Sequence, residues 1–230
     1  MKQDIYKINN SIDRLLKGKS TLFLDAKEFK QVTSKLKKNN YKIYYPYEDS
    51  EKVILYTNEI PKISLIKIIS YNKLKHQEIL GSILGLNISS SYLGDIIIDE
   101  DNYYFYIFDE LKDFILNNLI MIGNNSVKLE EIDFNYLSNY KRKYEENKII
   151  VSSLRIDNVI SKIIKTNRDK VIDKIKNKEI ILNYEIVNKN SIILKENDIF
   201  SIRRYGKYKF IGIEKSTKKD NYIIKYLKYI

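Results

Sequence analysis

Apolar positions recur along this chain with two periods, and the places where one gives way to the other divide it into three segments. Helical spacing over residues 4–16 and 26–38, then strand-like runs at 41–45 and 53–57 and a third candidate strand at 65–70, predict a small α/β unit ending near residue 72. The next segment opens at 73–86, where Leu74, Ile79, Ile83 and Leu84 share one helical face. Strands at 95–98 and 103–108, a helix at 110–121 and a strand at 126–131 follow, the order of a compact α+β domain with an antiparallel sheet. The charged stretch 141–148 reads as a linker.

The last segment has the clearest pattern. Ile156, Val159, Ile160, Ile163 and Ile164 form one buried stripe on a helix that Ser152 or Ser153 can cap. Val171, Ile172 and Ile175 repeat the stripe on a second helix, capped by Thr166 or Asn167. Short strands at 180–182, 192–194, 199–203, 208–214 and 222–226 complete two helices on a small sheet. The expected fold class is therefore α+β, in three small domains at 1–72, 73–148 and 151–230.

With the isoleucines inward, Arg155, Lys162, Arg168, Lys174, Lys176 and Lys178 fall largely on the outward faces. Arg168 also sits in the first turn of its helix, where unpaired backbone amides attract phosphate. Arg203, Arg204, Lys207 and Lys209 bracket Tyr205, Gly206 and Tyr208 at a turn, setting charge beside rings on which bases stack.

Charge sharpens this picture. The chain carries a formal +11, yet residues 1–150 hold 22 Lys+Arg against 21 Asp+Glu, whereas 151–230 hold 19 against 9. A coding bias toward lysine would not spare the first two thirds, so the asymmetry points to a polyanion-binding surface for RNA, DNA or anionic lipid. Other chemistry is scarce. There is no cysteine for a disulfide, a thiolate zinc site or a nucleophile, and one histidine, His76, cannot build a multi-histidine metal site. Seven glycines form neither a phosphate loop nor a dinucleotide fingerprint. Asp99, Glu100 and Asp101 read as a solvated turn before Asn102. No apolar run spans a bilayer and residues 1–10 lack a signal-like apolar core, so a cytoplasmic protein without membrane insertion is expected. No catalytic residue, metal, cofactor or small-molecule substrate is expected.

The runs Val151-Ser152-Ser153-Leu154-Arg155-Ile156-Asp157, Asn167-Arg168, Ile180-Ile181-Leu182-Asn183, Asp198-Ile199-Phe200-Ser201-Ile202-Arg203 and Gly206-Lys207-Tyr208 together resemble an RNA-binding domain of the S4 type. Members of that family usually carry Ser before the arginine, a small residue where Val171 stands and Gly where Lys178 stands. Upstream, Leu74-Lys75-His76-Gln77-Glu78-Ile79-Leu80-Gly81, Gly94-Asp95-Ile96-Ile97, and Ile122-Gly123 with Val127-Lys128-Leu129-Glu130-Glu131 resemble the middle domain of the YlmH family. Phe23-Leu24-Asp25 and residues 41–56 are more loosely similar to that family's N-terminal domain. The resemblance implies an N-terminal α/β domain, a middle domain similar to an RNA-recognition-motif (RRM) fold and a C-terminal S4 domain. It also implies bacterial ribosome-associated quality control, with binding to ribosomal RNA of the large subunit and to tRNA, and support of the factor that adds alanines to stalled chains. The RNA-binding residues it suggests are Arg155, Arg168, Lys174, Lys176, Lys178, Asn183, Arg203, Arg204 and Lys207, while Lys75 and His76 take a tRNA-contacting or structural role.

Two other classes compete. S4 domains also tether pseudouridine synthases and tyrosyl-tRNA synthetases to RNA, but residues 1–150 show neither the synthase's catalytic-aspartate motif nor the synthetase's nucleotide-binding signatures. Leu154-Arg155-Ile156-Asp157 is superficially like the former and belongs to the S4 helix. The other rival is an interaction protein at the division septum or membrane, reached through anionic lipid.

Overall fold

The largely aromatic run at 103–108 is buried on both faces, and the first part of the chain is arranged around it. The computed structural model describes residues 2–37, 40–217 and 220–230, which form two compact units, Met1–Lys141 and Arg142–Ile230. The first begins with helices α1 (Lys2–Leu16) and α2 (Ala26–Thr33) and a hairpin of β1 (Lys42–Tyr44) and β2 (Ile54–Tyr56). Asp25 starts α2 by a reciprocal cap, its carboxylate accepting from the Glu28 amide at 2.8 Å while its own amide donates to the Glu28 carboxylate at 3.1 Å. Next come β3 (Ile63–Ile69), α3 (His76–Gly85), β4 (Leu93–Asp99), β5 (Asn102–Phe108), α4 (Lys112–Asn118), a short hairpin of β6 (Met121–Ile122) and β7 (Asn125–Ser126), and β8 (Lys128–Ile132).

Strands β3, β4, β5 and β8 form one antiparallel sheet in the order β4-β5-β3-β8, the split β-α-β-β-α-β arrangement of RRM-type domains. Side chains alternate across it with period two. Tyr103, Phe105 and Ile107 join Ile79 and Ile83 of α3 and Ile115 of α4 in one core. Their neighbours Tyr104, Tyr106 and Phe108 join Phe23, Tyr47 and Ile54 of the N-terminal segment in a second core on the opposite face. The Tyr47 and Tyr106 rings stack at 5.8 Å. The buried Asp95 carboxylate fastens the N-terminal segment to β4, accepting from the Tyr47 hydroxyl at 2.8 Å and the Glu51 amide at 2.7 Å.

The second unit holds β9 (Tyr144–Val151), helices α5 (Ile156–Ile163) and α6 (Arg168–Lys176), and strands β10 (Ile180–Leu182), β11 (Glu185–Ile186), β12 (Ile199–Ile202), β13 (Gly206–Ser216) and β14 (Tyr222–Tyr229). They pair in the order β11-β10-β12-β13-β14-β9. Ile156, Val159 and Ile160 of α5 and Val171 and Ile175 of α6 pack on Phe200, Tyr208, Phe210, Ile224 and Tyr226.

Several expectations change. The strand anticipated at 65–70 is β3, the strand between β5 and β8, and so lies inside the RRM-like sheet rather than in the N-terminal element set. The expected linker 141–148 is mostly β9, paired with β14 from Tyr144 to Val151; its charged side chains masked the strand period. The helix anticipated at 110–121 is a 3-10 turn, Asp109–Leu111, followed by α4, and the chain then turns into the β6–β7 hairpin. At 192–194 only Ile193 pairs, as an isolated bridge to Arg155. Helix α2 stops at Thr33, and residue 38, the expected end, lies outside the described residues. Among the described residues no helix is long and apolar enough to cross a membrane.

Gly94 on β4 lets the N-terminal segment close on the sheet, because a Cβ there would lie 2.8 Å from both Phe23 Cζ and Tyr106 Cβ. We expect Gly94→Ala to lower the stability of the first unit by about 2 kcal/mol through overpacking, read as a lowered urea midpoint.

Candidate nucleic-acid interface

The first unit is electrically neutral, with 19 Lys+Arg and 19 Asp+Glu, while the second carries 22 against 11. The whole excess charge of the chain therefore resides in the second unit. At its centre is Asp157, whose side chain has no solvent exposure. Arg155 donates to it from Nε at 3.2 Å and Nη2 at 2.9 Å, and Arg168 from Nη2 at 2.8 Å. The Asn158 amide donates to the same carboxylate at 2.8 Å. Burial alone would raise the Asp157 pKa, but the two guanidiniums outweigh it and hold the carboxyl below the ordinary range.

This clasp positions cations rather than consuming them. A guanidinium offers five N–H donors, and Asp157 takes two from Arg155 and one from Arg168. Their side chains remain 35% and 47% exposed. Arg155 is the N-cap of α5 and Arg168 the first residue of α6, so both stand where backbone amides face outward. Asn167 caps α6 as anticipated, its Oδ1 accepting from the Lys170 amide at 3.0 Å. Neither Ser152 nor Ser153 caps α5. Both instead accept from Asn158 Nδ2, the Ser153 carbonyl at 2.9 Å, which ties down the approach to the helix.

A second cationic group gathers around Glu179. Lys174 donates to Glu179 at 2.8 Å and lies 5.2 Å from the centre of the Tyr205 ring. The Arg203 amide donates to the Glu179 carbonyl at 2.9 Å. The Lys174 hydrogen bond, with Arg203 and Arg204 nearby, pulls the Glu179 pKa below its ordinary value. Lys176 makes an exposed pair with Asp173 at 3.4 Å.

The remaining residues scatter by role. Lys178 has φ +57° just past α6, where its amide donates to the Ile175 carbonyl and that of Glu179 to the Lys174 carbonyl, a Schellman closure that favours Gly. Asn183 and Tyr184, at φ +47° and +67°, form the β10–β11 turn. The Asn183 side chain bridges to Asp198 at 2.7 Å and to the Ile199 amide at 2.9 Å, so its geometry is that of a turn anchor. Lys207 lies apart from Lys174 and Tyr205, between the Tyr184 and Tyr229 rings at 5.4 and 4.9 Å. Lys75 and His76 open α3 in the other unit, where the Lys75 amide donates to the Glu78 carboxylate at 2.9 Å. Glu100 and Asp101 form the two-residue turn joining β4 to β5.

Sequence reasoning missed the part played by Asp157. An acid two residues after a basic N-cap was the available signal, but only the fold brings Arg168, eleven residues on, to the same carboxylate. We expect Asp157→Asn to cost about 2 kcal/mol at pH 7, since it weakens hydrogen bonds to a buried charge. Because folding lowers the Asp157 pKa, its stabilisation is present above the unfolded carboxylate value, near pH 4, and fades as pH falls through the folded value. Denaturant melts of both proteins should therefore converge at low pH.

Comparison with known proteins agrees with the YlmH resemblance of the middle segment. Residues 59–136 match the family described as "Putative RNA-binding domain in YlmH". The chain is 31% identical over 147 residues to "Ribosome-associated protein quality control protein P2" of Bacillus subtilis (strain 168), covering 64% of this chain and 57% of that protein. It thus spans little more than half the length of the curated relative it matches. The solved structure "Cell division protein ylmH from Streptococcus pneumoniae" is similar over 58% of this chain and 92% of that one, at 25% identity and a TM-score of 0.47. Residues 59–136 thus match the domain by which the YlmH family is described, and the chain is similar to a ribosome-associated relative over a stretch about twice that length.

Proposed function

We propose that this chain is a non-enzymatic RNA-binding protein of ribosome-associated quality control. In this reading its C-terminal unit is an S4-type domain that docks on ribosomal RNA of the large subunit through phosphate contacts. The observation that carries it is the pair of guanidiniums set on one buried carboxylate at the starts of α5 and α6, within the unit that holds all the excess positive charge. Arginines held in this way meet phosphate oxygens without first giving up side-chain freedom. Lys174, Arg203 and Arg204 extend the contact, and Lys176 supports it at the surface.

The matched segment 59–136 is acidic, with 6 Lys against 12 Asp+Glu, and the sheet face bearing Tyr104, Tyr106 and Phe108 is buried under the N-terminal segment. An RRM-type sheet that stacks bases needs that face open. Both facts favour the second unit as the principal grip. The ribosomal setting is supported by the printed name of the Bacillus subtilis relative. By the same reading the protein acts in the cytoplasm on large subunits that retain a peptidyl-tRNA, with Lys75 and His76 near tRNA, and supports the factor that adds alanines to the stalled chain.

Co-sedimentation with large ribosomal subunits across a salt series tests this. Neutralising about five phosphates gives a slope of log K against log salt of roughly −3.5 to −4.5, and Arg155→Ala with Arg168→Ala should flatten it by roughly 1.5, measured below the double variant's melting temperature, which the unpaired Asp157 carboxylate lowers. A flat wild-type response, or an unchanged slope in the double variant, refutes the reading. Isomerised uridine in treated RNA would point instead to a modifying enzyme, and equal binding to anionic liposomes to a membrane role.

A further inference from the structure

The six-stranded sheet of the second unit has one face under its helices and one without them. Phe200, Tyr208, Phe210, Ile224 and Tyr226 turn toward α5 and α6. Alternation turns their neighbours the other way, and the register aligns these in rows across the sheet. Ile199, Lys209, Leu227 and Glu146 follow one another across four strands. Lys225 stands opposite Lys148, and Lys215, Ile223 and Ile150 make a further row. At one end, Lys207 lies between the Tyr184 and Tyr229 rings, and Tyr229 pairs with Tyr144, their ring centres 5.1 Å apart at 78°. The Arg142 guanidinium lies 6.0 Å from the same Tyr229 ring.

Charge on this face favours an anion. Six cations, Arg142, Lys148, Lys207, Lys209, Lys215 and Lys225, stand there against Glu146, Glu214 and, beside Gly212, Glu196. Apolar surface lies open among these charges, with Tyr144 38% and Ile150 55% exposed. Lysines interleaved with rings and flat aliphatic surface suit a ligand that carries phosphates and unstacked planar groups together. A paired RNA stem hides its bases, and an acidic peptide would leave the rings unused.

We propose that this helix-free face is a second RNA-contact surface, which takes a single-stranded segment while the Arg155–Arg168 side takes structured RNA. The proposal rests on the RNA-binding reading above. Tyr144 and Tyr229 receive bases at one end, and the lysine rows follow the backbone along the strands over roughly 25 Å, room for about four nucleotides. The C-terminal unit then holds two RNA segments at once, one on each side of its sheet.

Fluorescence anisotropy with the full chain separates the two surfaces, using a labelled 12-nucleotide oligouridine and a labelled fully paired RNA hairpin. Tyr144→Ala with Tyr229→Ala should weaken oligouridine binding about tenfold or more and leave hairpin binding within twofold. The pair Tyr144→Phe and Tyr229→Phe should bind as wild type. Lys209→Glu with Lys215→Glu, which disturbs no core residue, should weaken oligouridine by a similar factor. Arg155→Ala with Arg168→Ala should do the reverse, weakening the hairpin alone. Oligouridine binding unmoved by both sheet-face pairs, or absent from the wild type while the hairpin binds, overturns the proposal and leaves the helix-side reading intact. Hairpin binding that ignores the arginines, with oligouridine still dependent on the sheet face, supports the proposal and sinks the helix-side reading.

Discussion

A carboxylate without solvent exposure is costly unless its charge is met, and the second unit meets that of Asp157 with two arginines from different helices. The three side chains depend on one another. Without Asp157 the guanidiniums at the starts of α5 and α6 would lose their common anchor, and without them the carboxylate could not stay buried and ionised. The same contact ties the starts of the two helices together and fixes where their positive charge is displayed. Here structure and electrostatics are a single arrangement, which is why the candidate interface cannot be described apart from the core beneath it.

The two sheets of the chain obey the same alternation yet end in opposite states. In the RRM-like sheet both faces are covered, one by α3 and α4 and the other by the N-terminal segment, and the rings of Tyr104, Tyr106 and Phe108 become core. Gly94 and the Asp95 hydrogen bonds make that closure tight. In the C-terminal sheet only one face is covered by helices, and the other keeps its lysines and tyrosines at the surface. A tyrosine on a strand is thus a packing residue in one unit and a candidate ligand contact in the other, according to what lies above it.

Two positions that differ from the S4 pattern the last segment resembles have physical counterparts. Lys178 adopts the left-handed conformation that Gly adopts without strain, and a Schellman closure at the end of α6 holds it there. Val171, standing where a small residue is usual, is fully buried between α6 and the sheet, so the larger side chain fills core volume. Neither change touches the cations around Asp157 and Glu179.

Much was legible in the sequence alone. The isoleucine stripes of α5 and α6, the Asn167 cap, the paired strands β4 and β5 and the concentration of positive charge in the last third follow from residue spacing and composition, which act locally or simply add. Tertiary structure decided what depends on distant partners. It placed β3 within the RRM-like sheet, turned a charged presumed linker into β9, brought Arg168 to the carboxylate that Arg155 holds, and moved Lys207 to the opposite side of the sheet from Lys174. The reason is common to all four. Periodicity reports which face of an element is apolar, whereas the identity of the element that packs there is set by contacts between residues far apart in the chain.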